Sequence, residues 1–150
     1  MKRCNKNVYF QYILQQFKFL IGNNLTYVGR ESVIIKEKYI FKSENGTSTS
    51  IYGYILNLKS NDSNYTGLYR VDSETYYKVR KGNAFKEMSI IKSEREGVIA
   101  FSNKEDEISA KREVRKEAIK IALQFIIFSL LGILLLIWLI FFVLIKLVLF

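Results

Sequence analysis

The sequence predicts an α+β membrane protein: an antiparallel small barrel or sandwich, preceded by an amphipathic helix and followed by one long transmembrane helix. Three observations support this class. Residues 10–21 repeat apolar side chains at helical spacing, residues 25–101 alternate short apolar runs with turn sequences, and residues 121–145 carry no charge. The chain divides into four segments: 1–24, 25–101, 102–120 and 121–150.

The first segment contains apolar residues three or four positions apart, which places them on one face of a helix. They are Phe10, Ile13, Leu14, Phe17, Leu20 and Ile21. Asn7 is a suitable cap for this helix, and Gly22-Asn23-Asn24 is a typical stop. Two interpretations stay open. The apolar face packs on the sheet, which is the commoner outcome, or it lies in the membrane interface with help from Lys2, Arg3 and Lys6.

The second segment contains β-branched and aromatic runs of strand length. The predicted strands are 25–28, 32–36, 38–42, 50–59, 66–71, 85–92 and 98–101. Turn residues such as Glu44-Asn45-Gly46 and Arg95-Glu96-Gly97 separate several of them. Connections this short favour antiparallel pairing, because parallel strands need longer crossovers.

The last segment predicts a membrane span. The 25 uncharged residues from Ile121 to Ile145 form a helix of about 37 Å, longer than the roughly 30 Å hydrocarbon core of a bilayer. Because the segment lies at the C-terminal end, we do not expect a cleaved signal peptide. A buried core helix is the alternative, but the other residues are too few to surround it.

The residues before the span predict its orientation. The pattern Ser102-Asn103-Lys104-Glu105 resembles a capping box, so the helix is expected to begin near residue 103. Five basic residues precede the span and only Lys146 lies near its far end. The five are Lys111, Arg112, Arg115, Lys116 and Lys120. The positive-inside rule then places the N-terminal domain in the cytoplasm and the C-terminus outside the plasma (inner) membrane.

One face of the long helix predicts contact with another membrane helix. Its residues follow spacings of 4, 3, 4, 3 and 4, and four of the six are small: Ala118, Ala122, Phe125, Ser129, Gly132 and Leu136. Small side chains let membrane helices approach closely. Chance is the alternative, since such residues are common in spans. Self-association or a partner membrane subunit would use this face.

The composition argues against an enzyme. The chain has no histidine and only one cysteine, Cys4, so the commonest general base and thiolate metal clusters are excluded. Glu105-Asp106-Glu107 is interpreted as a helix start, and no cofactor or metal ion is predicted. Residues 1–101 carry 16 Lys and Arg against 9 Asp and Glu, a net charge of +7. Contact with lipid, nucleotide or nucleic acid would suit this charge, but a Lys-rich solvated surface is the simpler interpretation, and nucleic acid is not expected.

The stretch from Gly67 to Asn83 predicts a strand, a helical turn, a Gly-Asn turn and the start of another strand. It resembles a small β-rich family of unknown function in bacterial membrane proteins, over roughly residues 50–101. The chain lacks the prolines expected after Ile91, and its first helix is more polar than a first span would be. The resemblance implies a membrane-attached, non-catalytic β-domain.

Three functions are compatible with these features. The leading one is an accessory or regulatory subunit of a membrane complex, with a cytoplasmic β-domain that binds a partner or ligand. The alternative is an oligomerising membrane effector that senses a nucleotide. Its contacts would come from aromatic and basic side chains that suit a phosphate-bearing ligand, namely Tyr76, Tyr77, Lys78, Arg80 and Lys81. The third is a toxin-immunity protein at the membrane.

Overall fold

A computed structural model describes residues 6–22, 24–45 and 48–149 of the chain. The elements are, in chain order, α1 (Lys6–Ile21), β1 (Leu25–Asn45), β2 (Ser48–Ser60), β3 (Thr66–Val71), α2 (Ser73–Lys78), β4 (Ala84–Ser93), β5 (Val98–Ser102) and α3 (Glu107–Leu149). The α+β class is confirmed. Strand β3 has the predicted bounds, and β2, β4 and β5 differ from prediction by one or two residues at their ends.

The five strands form one antiparallel sheet in the order β3-β2-β1-β4-β5. Its edge strands, β3 and β5, come together, so the sheet curls into a nearly closed barrel and not a sandwich. At Gly67 of β3, a Cβ atom would be only 2.7 Å from the carbonyl oxygen of Ile99 in β5. A side chain at this position would push the two edges apart, so glycine is what allows the barrel to close here.

Strand β1 is a single element where the sequence predicts three strands, 25–28, 32–36 and 38–42. It pairs with β4 along its first half and with β2 along its second half. The ladders skip Val28 and Lys36, which marks both as bulges. Each bulge inverts the alternation of inward and outward side chains, so the pattern looks interrupted although the strand continues. Gly29, beside the first bulge, has a φ of 145°, a backbone conformation that favours glycine.

The barrel interior is one cluster of apolar side chains from all of its strands, with β3 contributing the half-buried Tyr69 and Val71. Helix α2 covers one end of the barrel and inserts Tyr76, which is 0 % exposed. Asp72 caps α2 by accepting a hydrogen bond from the Thr75 amide at 2.8 Å. At the C-terminal end of α2, Lys38 Nζ donates to the carbonyl oxygens of Tyr76 and Val79 at 2.5 and 2.6 Å. Asp72 thus caps the first turn of α2, and Lys38 of β1 holds its C-terminal end to the barrel.

Helix α1 buries a different face from the predicted one. It begins at Lys6, before the expected cap at Asn7, and its buried apolar residues are Val8, Tyr12, Ile13 and Phe19. Of the predicted stripe only Ile13 is buried and Phe17 half-buried, whereas the others are exposed: Phe10, Leu14, Leu20 and Ile21. The prediction that this stripe packs on the sheet is therefore wrong.

Polar side chains explain the rotation of α1. The amide of Gln15 donates to the Leu68 carbonyl and accepts from the Leu68 amide, both at 3.2 Å. It thereby satisfies backbone groups on the outer side of edge strand β3, which would otherwise stay unpaired. The Tyr12 hydroxyl donates to Glu117 of α3 at 3.1 Å. These contacts turn Tyr12 and Gln15 toward the protein, although helical spacing from the predicted apolar stripe puts Gln15 on the solvent face.

Helix α3 begins at Glu107, later than expected, and its cap is Asp106 and not Ser102. The Asp106 carboxylate accepts from the Ser109 amide at 2.8 Å. The helix has 43 residues and is about 65 Å long. Its first part packs against the barrel and α1 through small and apolar side chains: Ala110, Val114, Ala118 and Ile121. Beyond Ala122 every described side chain is exposed, and this helix is long and apolar enough to cross a membrane.

Candidate ligand-binding cleft

A cleft of about 490 Å³ lies beside the seam between β3 and β5. One wall is the barrel, with residues 68–72 of β3 and the following turn, Phe85 and Lys86 of β4, and Phe101 of β5. The other wall is α3, with Tyr12 and Gln16 of α1 at the side. The volume falls in the range of small-molecule sites, which is roughly 300–1,000 Å³.

The helical wall consists of residues on one face of α3: Glu113, Val114, Glu117 and Lys120. Spacings of three and four residues keep them in line along the cleft. Glu113 is hydrogen-bonded to the hydroxyl of Ser102 at the end of β5, and Glu117 accepts from Tyr12. These bonds hold α3 against β5 and α1, and so define the width of the cleft.

Charges in the cleft are balanced. Its lining carries three carboxylates, from Asp72, Glu113 and Glu117, and three cations, from Arg70, Lys86 and Lys120. Each carboxylate accepts a hydrogen bond from a hydroxyl group of the protein. Such balance suits a ligand with a single anionic group better than a polyanion, because a polyanion would also be repelled by the three carboxylates.

The aromatic part of the cleft combines rings with a cation. The rings of Tyr69 and Phe85 lie 6.5 Å apart, tilted by 58°. The ammonium of Lys86 lies over the Phe85 ring, 4.8 Å from its centroid. Desolvation lowers the pKa of Lys86 below its usual value. This combination of a flat apolar surface and a cation can hold a planar ligand that carries a negative charge.

Two tyrosine hydroxyls in the cleft are hydrogen-bond donors at neutral pH. Burial, with the nearby charges of Glu113 and Glu117, raises the pKa of Tyr69 to about 12. Burial also raises the pKa of Tyr12, and the charge of Glu117 and its hydrogen bond with Tyr12 raise it further. Both groups thus stay protonated well above the ordinary tyrosine pKa of about 10.

The raised pKa of Tyr12 predicts that the protein loses stability in alkali. Unfolded tyrosine ionises near pH 10, but folded Tyr12 does not, so its contribution to the free energy of unfolding is complete below about pH 10 and falls above it. In Tyr12→Phe this contribution is absent. We expect urea unfolding midpoints measured from neutral pH to about pH 11 to fall less steeply in the variant than in the wild type. Equal slopes would show that Tyr12 ionises alike in both states.

The predicted ligand residues Tyr76, Tyr77, Lys78, Arg80 and Lys81 lie outside this cleft. Tyr76 is in the barrel core, and Tyr77, 62 % exposed, rests with its ring against Tyr54. Lys78 pairs with Glu74 at 2.5 Å and Lys81 with Glu37, while Arg80 is exposed. The structure thus separates Tyr76 from the exposed members of the group. Sequence reasoning did not find the cleft, whose lining comes from positions between Tyr12 and Lys120 with no local motif.

The predicted membrane packing face is divided by the structure. Ala118 is buried beside Phe19 of α1, so α1 covers the start of this face. The Phe125 ring meets Phe17 edge-on at 5.7 Å but is still 46 % exposed. The remainder, Ser129, Gly132 and Leu136, is exposed. The Ser129 hydroxyl donates to the Phe125 carbonyl at 2.8 Å, and a Cβ atom on Gly132 would meet nothing within 4 Å. Contact with another helix stays a prediction for this face, whose exposed positions are Phe125, Ser129, Gly132 and Leu136.

The five predicted interface cations lie before the exposed part of α3 but face different surroundings. Lys111 pairs with Glu107 at 2.6 Å, and Lys120 lines the cleft. Arg112, Arg115 and Lys116, together with Lys111, line an open groove between α3 and the start of β1. All five precede Ile121, so their arrangement is compatible with the headgroup region of a bilayer.

No protein-family model, curated protein or solved structure matches this chain. The resemblance to a β-rich family of membrane proteins stays a prediction. In the described part of the chain, no three His, Cys, Asp or Glu side chains are grouped as a metal site would require.

Proposed function

We propose that this protein is a non-enzymatic, single-pass membrane protein that serves as an accessory or regulatory subunit of a membrane complex. Its barrel binds a small ligand or a partner at the cytoplasmic face of the plasma (inner) membrane, and its C-terminal helix contacts another membrane subunit. Five cations before the span and one after it support this orientation. Reporters fused to each end test it: activity of the N-terminal reporter outside the cytoplasm would reverse the assignment.

The observation that carries the proposal is the position of α3. The same helix lines the cleft through Glu113 and Glu117 and continues without interruption into the exposed apolar segment. A ligand in the cleft contacts both the barrel and the helix that would cross the membrane. Occupancy of the cleft can therefore change the position of the span relative to a partner, as a regulatory subunit requires.

The exposed positions Ser129 and Gly132 provide the test of subunit contact. Replacing both with leucine leaves the span apolar, and a Cβ atom at Gly132 would meet nothing within 4 Å outside its own helix backbone. We expect the double variant to insert normally but to weaken assembly by about 1–3 kcal/mol, because backbones can no longer approach closely. Native mass spectrometry after purification in mild detergent measures the assembly. The control is Ile127→Leu with Leu134→Ile, away from this face.

The outcomes separate the candidate functions. A co-purifying membrane subunit that is lost in the Ser129 and Gly132 double variant supports an accessory subunit. A large homo-oligomer lost in the same variant supports the oligomerising effector instead. Unchanged assembly in both variants contradicts helix contact through this face.

A nucleotide is the ligand class that the aromatic part of the cleft favours, because Phe85 and Lys86 offer a ring surface beside a cation. Adenosine monophosphate is a suitable probe, since it joins a planar base to one phosphate group. We expect calorimetry of the full-length protein to show that Lys86→Ala weakens binding roughly tenfold or more, whereas Lys81→Ala, outside the cleft, leaves it unchanged. The opposite result would place the ligand at the turn between α2 and β4, which contains Lys81. No binding to the wild type would exclude this nucleotide.

A further inference from the structure

Helix α1 presents an exposed apolar stripe on the side turned away from the barrel. Phe10 is 55 % and Ile21 57 % exposed, Leu14 is exposed, and Phe17 is half-buried between them. These four residues follow spacings of 4, 3 and 4, so they share one face of the helix. The opposite face, with Val8, Tyr12 and Phe19, is buried. A helix that is apolar on both sides needs a second apolar environment.

The stripe lies at the level where α3 leaves the barrel. Ile13 packs in one buried cluster with Ile121, and Phe17 touches Phe125. From Leu123 onward the described side chains of α3 are exposed, and they stay uncharged up to Ile145. The exposed stripe of α1 is thus continuous, through Phe17, with the start of the exposed apolar segment of α3.

We propose that α1 lies in the interface of the same bilayer that α3 crosses, with Phe10, Leu14, Phe17 and Ile21 among the lipid acyl chains. The inference rests on the proposed membrane span. Lipid is the occupant that the structure favours, because the stripe continues into a segment whose own surroundings would be lipid. Exposed Gln11 and Lys18 border the stripe, and Lys2 and Arg3 precede the helix in the sequence, which suits an interfacial helix near anionic headgroups.

An interfacial α1 would give the protein a second membrane contact and would fix the orientation of the barrel relative to the membrane surface. Because α1 is joined to the barrel through Gln15 and to α3 through Tyr12, the barrel could not turn freely beneath the span. The cleft, which Tyr12 and Gln16 border, would then lie next to the membrane surface. Its ligand would reach it from the cytoplasmic side of the lipid headgroups.

Accessibility of spin labels in the full chain tests the inference. Single cysteines in a Cys4→Ser background carry a nitroxide at Phe10 or Ile21 on the stripe, and at Gln11 or Lys18 on the polar border. A label at Leu134 reports on the span. The protein is reconstituted in vesicles of phosphatidylcholine and phosphatidylglycerol, and collisions with oxygen, which partitions into lipid, are compared with those of a water-soluble nickel chelate. We expect the oxygen-to-nickel ratio at Phe10 and Ile21 to exceed that at Gln11 and Lys18 several-fold.

Each other result is decisive. If Phe10 and Ile21 are nickel-accessible while Leu134 is oxygen-accessible, the interfacial helix is wrong and the span stands. If Leu134 is also nickel-accessible, the membrane span itself is wrong. Strong broadening of the Phe10 spectrum would show that the nitroxides of two chains lie close together. A second copy of the chain would then cover the stripe, which would also overturn the proposal.

Discussion

Truncating Tyr76 to alanine is expected to destabilise the barrel by about 3–5 kcal/mol, the range for removal of a large buried aromatic side chain. The ring is 0 % exposed and packs with Tyr54 at a centroid distance of 4.9 Å, over a core that includes Leu56 and Met88. A loss of this size is a large part of the stability of a small domain. Urea unfolding of the full-length protein in detergent, followed by near-ultraviolet circular dichroism, measures it.

The neighbouring residue supplies the control for this prediction. Tyr77 is 62 % exposed, so Tyr77→Ala should change the free energy of unfolding by no more than about 0.5 kcal/mol. Comparable effects of the two substitutions would contradict the burial of Tyr76. They would also restore Tyr76 as a candidate ligand contact, together with the exposed residues that follow it.

Two arginines in the middle of the apolar segment, Leu134→Arg with Ile137→Arg, are expected to abolish membrane integration. Each arginine at the centre of a span costs roughly 2.5–3.5 kcal/mol on insertion scales. Both positions are exposed, so no described residue of this chain covers the charge. Extraction by alkaline carbonate measures the effect: the wild type should stay with the membranes and the variant should be released or degraded.

Position along the helix is the control for the arginine experiment. Leu147→Arg with Val148→Arg introduces the same charges next to Lys146, where long side chains can reach the headgroups. This variant should integrate like the wild type. Normal integration of the central variant would show that α3 does not cross a bilayer, and its exposed apolar surface would then need a protein partner.

Local signals in the sequence were enough for most of the secondary structure. Strand β3 has the predicted bounds because turn residues flank a short run that contains the strand formers Thr66, Tyr69 and Val71. Helix α3 follows from uninterrupted helix-forming residues. The secondary structure that local signals did not predict depends on contacts between positions far apart in the sequence. Bulges at Val28 and Lys36 hide the continuity of β1, since they reverse the alternation on which strand prediction depends.

The orientation of α1 and the position of the cleft were not predictable for the same reason. Which face of α1 is buried depends on the free backbone groups of Leu68 and on Glu117, neither of which is near α1 in the sequence. The cleft combines α1, three strands and α3, so its residues share no spacing. Adjacent aromatic and basic residues predict a ligand contact at Tyr76, but a capped short helix turns its ring into the core.

The continuity of α3 has a mechanical consequence. The helix contains no proline and, among its 43 residues, a single glycine, Gly132, so it has no built-in hinge between Glu113 and the apolar segment. A rotation or tilt imposed on its first turns would be carried as a rigid-body movement to its other end, about 50 Å from Glu113. The helix would move as one rigid body, so the angle between α3 and the barrel would set the tilt of the apolar segment.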